Sequence, residues 1–385
     1  MDIDKLLQQA IELGASDLHL SGDNPPIVRV DGEIRPLDAP PASGAEIGGM
    51  LATLLAEPQR AQYESELELD LAIEHRAGVR FRVNAFTNRA GPAAVFRVIP
   101  QHVPALVELG APPALERLTA LQKGLVLVTG PTGSGKSTTL AALIDHINTT
   151  SARHILTIED PIEFTHRSKR SLINQREIGR DSRSFARALR SALREDPDVI
   201  LVGELRDLET IGLALTAAVT GHLVLGTLHT TSAAKTIDRL IDVFPSADKA
   251  MVRTMLSGSL RAVIAQTLLR RRDGAGRVAA FEILFGTPAV ANLIRENQIS
   301  QINAMMQTGA RYGMQLMTDA IQQLVATGLI DAAEAARASA AWTGEGQSGR
   351  SSLALDLASA AGVGPDKRAG PRVVSAPAAE PDYAF

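Results

Sequence analysis

Gly130-Pro131-Thr132-Gly133-Ser134-Gly135-Lys136-Ser137 fits the G-x-x-x-x-G-K-[ST] spacing of a phosphate-binding loop. The apolar run Leu125-Val126-Leu127-Val128 precedes it, and Leu140, Leu143, Ile144 and Ile147 follow at helical spacing. A strand entering and a helix leaving is the context in which this spacing has mechanical meaning. The glycines let the backbone turn its N–H groups inward round a phosphate. A helix beginning near Lys136 adds the positive end of its dipole. Lys136 is expected to reach the β- and γ-phosphates of a nucleotide, and the Ser137 hydroxyl to ligate Mg²⁺. The nucleotide-binding set is Gly130, Pro131, Thr132, Gly133, Ser134, Gly135, Lys136, Ser137 and Thr138.

The chain has 385 residues, enough for two domains and a tail. A formal net charge of −4 gives no global pointer to nucleic acid. The absence of cysteine excludes disulfides and Cys-ligated zinc and fits a reducing compartment. No apolar run approaches the roughly 18 residues of a membrane-spanning helix. Met1 to Ala10 carries Asp2 and Asp4 and lacks the basic-then-apolar order of a signal peptide. Aromatic residues make up only 3%, so the cores must be aliphatic.

Before the loop, residues 1–100 read as a small α+β domain. Ile3, Leu6, Leu7, Ala10 and Ile11 keep helical spacing, with Gly14 as the stop. Ile27–Val30 and Glu33–Leu37 flank the hairpin turn Asp31-Gly32. A helix is expected from Ile47 to Leu55. Leu67–Ile73 and Val79–Ala85 alternate apolar and polar residues as half-buried strands do. Gly91-Pro92 is read as a turn into a further strand, Ala93–Ile99. Arg80, Arg82 and Arg97 admit two readings: a solvated sheet face, or cations offered to a neighbouring subunit's nucleotide. Prolines 100, 104, 112 and 113 mark residues 101–112 as a semi-stiff linker.

From 113 to 343, strand runs alternate with helical ones: Leu125–Thr129, His154–Glu159, Val199–Val202, His222–Leu228 and Arg277–Phe285. Most are nearly continuous apolar runs, as in a parallel α/β sheet buried on both faces. Ligands sit at the carboxyl ends of such strands. Polar clusters fall there: Glu159–Phe164 carrying Glu163, Gly203–Asp207 carrying Glu204, and His229–Ser232. Hydrolysis of a nucleoside triphosphate needs Mg²⁺ held by oxygen ligands and a group that orients or deprotonates water. Glu163 and Glu204 supply these roles together with Ser137. Either could be the base, and Glu204 is favoured because it follows the apolar strand directly. His229, at a strand's carboxyl end, is placed for a γ-phosphate contact, and His222, at the amino end, is not. Arg183, Arg187, Arg190 and Arg194 form one face of a helix, either solvated or a subunit contact.

Asp207 caps a helix over 208–219 that Gly221 ends. Residues 247–269 have the composition of a long helix, with Arg270-Arg271-Arg272 suited to its C-terminus. Helices are expected near 288–296, 300–308 and 314–327. Asp331-Ala332-Ala333-Glu334 reads as the capping box of a last one. Residues 344–385, rich in Ala, Gly, Ser and Pro, read as a low-complexity, disordered tail.

Four stretches resemble, in order, the Walker A, Asp, Walker B and His boxes of the type II/IV secretion ATPase superfamily. They are Gly130–Ser137, Thr157–Glu163, Asp196–Glu204 and Thr220–Thr230. The resemblance covers roughly residues 1–330 and is greatest to the motors that retract type IV pili in twitching motility. It implies a PAS-like N-terminal domain and a RecA-like ATPase domain. It implies a homohexamer with ATP between subunits, at the cytoplasmic face of the inner membrane. The partners it implies are an inner-membrane pilus platform protein, with pilus assembly proteins or an accessory retraction ATPase. It also implies that Arg82 and Arg97 reach the nucleotide, with Arg80 a third candidate. The chain lacks the four-cysteine zinc element and long N-terminal extension of the assembly and secretion branches, which favours retraction. Val219 stands where the family usually has Glu, and Ala291 where its C-terminal element has Arg. The alternatives are an accessory or regulatory retraction ATPase, and a related pilus-assembly or type II secretion ATPase. DNA translocation finds no support in the acidic balance.

Overall fold

A computed structural model of the protein describes residues 2–30, 33–99, 102–274 and 276–343. The expected Asp31-Gly32 turn and the 344–385 tail lie outside them.

The N-terminal part, up to Ile99, is built on a six-stranded antiparallel sheet. Its strands are β1 (Asp17–Leu20), β2 (Ile27–Val30), β3 (Glu33–Pro36), β4 (Glu68–Glu74), β5 (Arg80–Asn88) and β6 (Gly91–Ile99), in the order β3-β2-β1-β6-β5-β4. Helices α1 (Ile3–Glu12) and α2 (Gly44–Leu54) supply the apolar cover. Leu7, Ile47 and Leu51 close over Phe81, Val83 and Phe96, all buried. The helix expected from Ile47 begins earlier, because Ser43 and Glu46 form a complete capping box. A further helix, α3 (Glu57–Glu66), buries no residue, so no apolar stripe announced it. Strand β1, Asp17-Leu18-His19-Leu20, alternates polar and apolar residues but is too short for the alternation to stand out. The expected Gly91-Pro92 turn is corrected: Asn88 already pairs with Gly91, and the chain reverses at Arg89-Ala90.

Residues 102–112 form no helix or strand, yet Leu106 is buried in the second core beside Val126 and Leu143. A short helix α4 (Glu116–Thr119) leads into a seven-stranded sheet. Its strands are β7 (Gly124–Thr129), β8 (His154–Glu159), β9 (Leu172–Glu177), β10 (Val199–Val202), β11 (Leu223–Leu228), β12 (Leu260–Arg270) and β13 (Arg277–Phe285). The order is β13-β12-β7-β11-β10-β8-β9, with only the β12–β13 pair antiparallel. Successive residues of β7 serve opposite faces. Leu125 and Leu127 join one core, and Val126 and Val128 the other. That double burial is why these strands read as unbroken apolar runs. The helices α5 (Lys136–Thr150), α6 (Phe185–Ala192), α7 (Leu208–Thr220), α8 (Ala233–Asp242), α9 (Lys249–Ser259) and α10 (Pro288–Arg295) lie between or after the strands. They are followed by α11 (Ile302–Thr308), α12 (Met317–Ala326) and α13 (Ala332–Thr343).

The long helix expected over 247–269 is corrected. Helix α9 stops at Ser259, after the poor helix formers Ser257 and Gly258, and β12 follows as a full central strand. Val263 and Ile264 are β-branched and wholly buried, as a strand flanked on both sides demands. Arg270-Arg271-Arg272 therefore ends a strand, not a helix. The expected capping box at Asp331 is half formed. Asp331 accepts from the Glu334 N–H, but a Glu334 oxygen is taken by the Arg270 N–H. The polar strand β9, pairing in parallel with β8 at the sheet edge, had no apolar signal.

Candidate active site

Strand β7 delivers Gly130 to the carboxyl edge of the sheet, and α5 leaves at Lys136. Gly130 adopts φ 144°. A Cβ there would lie 2.3 Å from the Gln266 carbonyl, so no other residue fits. Gly135 adopts φ 88°, and a Cβ on it would lie 2.8 Å from Gln266 Nε2. Gln266, buried on β12, also accepts from Thr139 Oγ1 at 2.7 Å. One side chain thus buttresses the loop and the first turn of its helix. Inside the loop, the Ser134 hydroxyl is buried with no hydrogen-bond partner among the described residues. A cradle with an unsatisfied polar group fits an incoming phosphate. The Lys136 ammonium donates to the Gly130 and Pro131 carbonyls at 2.8 and 3.0 Å. Burial draws it below its ordinary pKa, with Glu204 and Glu163 pulling the other way.

A cleft of about 650 Å³ opens over this loop. It is lined by Thr132, Gly133, Gly135, Lys136, Ser137 and Thr138, by Glu159 and Glu163 after β8, by Glu204 and Arg206 after β10, and by His229 after β11. Arg82 of β5 and Arg97 of β6 close it from the other sheet. The site residues expected from sequence, Gly130, Pro131 and Ser134 of the loop apart, thus line one cleft.

The two carboxylates differ. Glu204 accepts from Arg206 Nη2 at 2.7 Å and stands 3.1 Å from His229 Nε2. Burial alone would raise its pKa, but the Arg206 guanidinium, with the His229 ring beside it, outweighs that and holds the carboxyl below its ordinary range. Glu163 is exposed to the cleft and has no ion pair among the described residues. His222 stays outside the cleft, its Nδ1 3.0 Å from the Ala217 carbonyl.

Arg82 and Arg97 are directly opposed across β5 and β6. Like charges so placed repel. Asp17, buried on β1, takes the Arg97 Nε at 2.8 Å. No carboxylate pairs with Arg82 among the described residues, so the juxtaposition is suited to an anion in the cleft. Both arginines line a cleft of their own chain, with the Arg97 side chain still 67% exposed. Arg80 does not join them: it bonds Glu177 and Thr165.

Glu159 is the last residue of β8 and lines the cleft. It accepts from Thr157 Oγ1 at 2.6 Å and Gln175 Nε2 at 3.3 Å. Burial raises its pKa from the ordinary 4.5 to about 7, although those hydrogen bonds oppose the shift. A raised folded-state value gives stability that is complete below about pH 4.5 and lost as pH rises through about 7. Glu159→Gln keeps the Thr157 and Gln175 bonds on one oxygen, gives up part of the contact with the Glu163 N–H, and removes that loss. It is expected to stabilise the nucleotide-free protein by about 1–3 kcal/mol at pH 8 and by nothing measurable near pH 4. Thermal unfolding at both pH values checks this, and an equal gain at both would contradict it.

For Mg²⁺ the donor set is sparse. Among the described residues no three His, Cys, Asp or Glu side chains cluster as a metal cage. Ser137 with carboxylates nearby fits Mg²⁺, which keeps waters and borrows phosphate oxygens.

A family model described as type II/IV secretion system protein matches residues 1–355. Over 330 residues the chain is 57% identical to the type IV pilus retraction ATPase PilT of Pseudomonas aeruginosa, covering 86% of this chain and 96% of that one. Over 312 residues it is 61% identical to a twitching motility protein of Neisseria gonorrhoeae, covering 81% of this chain and 83% of that one. The crystal structure of the pilus retraction motor PilT with bound ADP matches with a TM-score of 0.83 at 46% identity, over 88% of this chain and 97% of that chain.

Proposed function

The chain belongs to the type II/IV secretion system protein family, and we propose that within it this protein is the ATP-hydrolysing motor of type IV pilus retraction. The observation that carries the hydrolytic part is the single cleft gathering Lys136, Glu163, Glu204, His229, Arg82 and Arg97. Kinship with named retraction and twitching proteins carries the rest. Residues 1–100 are the PAS-like domain, 101–112 the linker and 113–343 the RecA-like ATPase domain.

The loop N–H groups and Lys136 bind the β- and γ-phosphates of ATP. Glu163 orients and deprotonates the attacking water, having no ion pair among the described residues and only the charge of Lys136 beyond ion-pair distance. Glu204 is expected from sequence to be the base, but its oxygens are engaged by Arg206 and His229, which lowers its basicity. It suits better the outer ligation of the metal through water. Ser137 would hold Mg²⁺ together with the phosphates, and the ion would supply charge neutralisation there. Arg82 and Arg97 add positive charge from the other sheet, where negative charge develops. Because the arginines and the loop belong to different sheets, hydrolysis is coupled to their relative movement. The working assembly is a homohexamer at the cytoplasmic face of the inner membrane, acting on the pilus platform protein. No described helix is long and apolar enough to cross a membrane, which fits a peripheral place.

ATP turnover by the purified full chain tests the chemistry. Turnover is expected with Mg²⁺ and loss to background when EDTA removes it. Unchanged turnover in EDTA would contradict the cleft's assignment.

A further inference from the structure

We infer that Arg80 and Glu177 are positioning residues for hydrolysis, a relay by which the six-stranded sheet sets the place of the loop that carries Glu163. This rests on the role proposed for Glu163 above. That loop lies in residues 160–171, which join β8 to β9 with no secondary structure of their own. Side chains of β9 hold it instead. Gln175 donates to the Phe164 carbonyl at 2.9 Å and accepts from the His166 N–H at 2.8 Å. Glu177 accepts from the Ile162 N–H at 3.2 Å, one residue before Glu163. The same Glu177 oxygen accepts from Arg80 Nη2 at 3.3 Å, and Arg80 Nη1 donates to Thr165 Oγ1 at 3.2 Å.

Arg80 therefore reaches from β5 to both the strap and the loop it holds. The pair is enclosed, with side chains 13% and 8% exposed. An enclosed carboxylate deprived of its cation is costly, so Glu177 keeps its grip on Ile162 best while Arg80 is in place. When the six-stranded sheet moves away, the arginine leaves and the Glu163 loop loosens. Arg82 and Arg97 would bring charge to the cleft, whereas Arg80 reports the sheet's position to the carboxylate. Small displacements of an attacking group are costly in rate.

Full-length Arg80→Ala, Arg80→Lys, Glu177→Gln and the Arg80→Ala/Glu177→Gln double variant test this through kcat and nucleotide Kd. Arg80→Ala and Glu177→Gln are each expected to lower kcat about tenfold while Kd stays within about twofold. The double variant is expected to fall no further than the worse single one, because both break one connection. Arg80→Lys, which keeps the charge, is expected to recover most of the rate. An Arg80→Ala kcat within about twofold of the wild type, losses that multiply in the double variant, or Kd weakening in step with kcat would overturn the relay. Should Arg80→Ala not fold, Glu177→Gln decides: full kcat overturns the relay, and a loss in kcat alone supports it. An inactive Glu163→Gln beside a fully active Arg80→Ala defeats the relay alone, whereas a fully active Glu163→Gln defeats the hydrolytic reading beneath it.

Discussion

Lys136→Ala is expected to cut ATP turnover by about 10²-fold or more, because it removes the one loop cation aimed at the transferring phosphate. Two carbonyls of its own loop hold the ammonium at the mouth of the cradle. Its burial makes each charge contact there stronger than in open water. The loss should appear in nucleotide affinity and in the chemical step alike, since the lysine meets the phosphates in both states. The fold should survive, because α5 is anchored by Leu140, Leu143, Ile144 and Ile147 and not by the lysine. Steady-state turnover and far-ultraviolet circular dichroism of the variant check both halves. A folded Lys136→Ala protein with wild-type turnover would remove the cleft from consideration.

The second large effect separates the two carboxylates. Glu163→Gln is expected to lower the single-turnover rate by about 10²-fold at unchanged Mg²⁺ half-saturation, as loss of a general base does. Glu204→Gln is expected to lower turnover comparably, but with a raised Mg²⁺ requirement. It also releases Arg206 and His229 from their common partner. Single-turnover rates across a Mg²⁺ titration tell the two apart. The reverse pattern would return the base to Glu204, where the sequence alone had put it.

That reversal marks where sequence reading stops. The chain order of Glu163 and Glu204 after apolar strands was enough to bring them to one edge. Basicity depends on partners: Arg206 folds back on Glu204 within its own loop, and His229 reaches it only once β10 and β11 lie side by side. The loop itself was fully legible, since Gly130 and Gly135 have identities forced by local backbone geometry. Its buttress was not. Gln266 lies in a stretch whose composition favours a helix, and only Ser257-Gly258 and the β-branched pair Val263-Ile264 hint otherwise. Polar elements were missed for the same reason. The edge strand β9 has no apolar alternation, yet its Gln175 and Glu177 hold the Glu163 loop. Arg80, Arg82 and Arg97 looked equivalent along the strands. Pairing distinguishes them, with two opposed over the cleft and the third committed to Glu177. The departures from the family pattern fall away from the cleft lining. Val219, 47% exposed in the last turn of α7, is an outward-facing apolar residue. Ala291 sits on α10.

The central claim is that hydrolysis in this cleft withdraws a pilus. Its most direct test is the length of fluorescently labelled pili, followed in time, in cells whose only copy carries Lys136→Ala. Pili are expected to extend and stay out, on hyperpiliated cells that do not twitch, with retraction restored by the wild-type chain. Retraction at the normal rate in the variant, with no other retraction motor present, would contradict it, as would cells without pili.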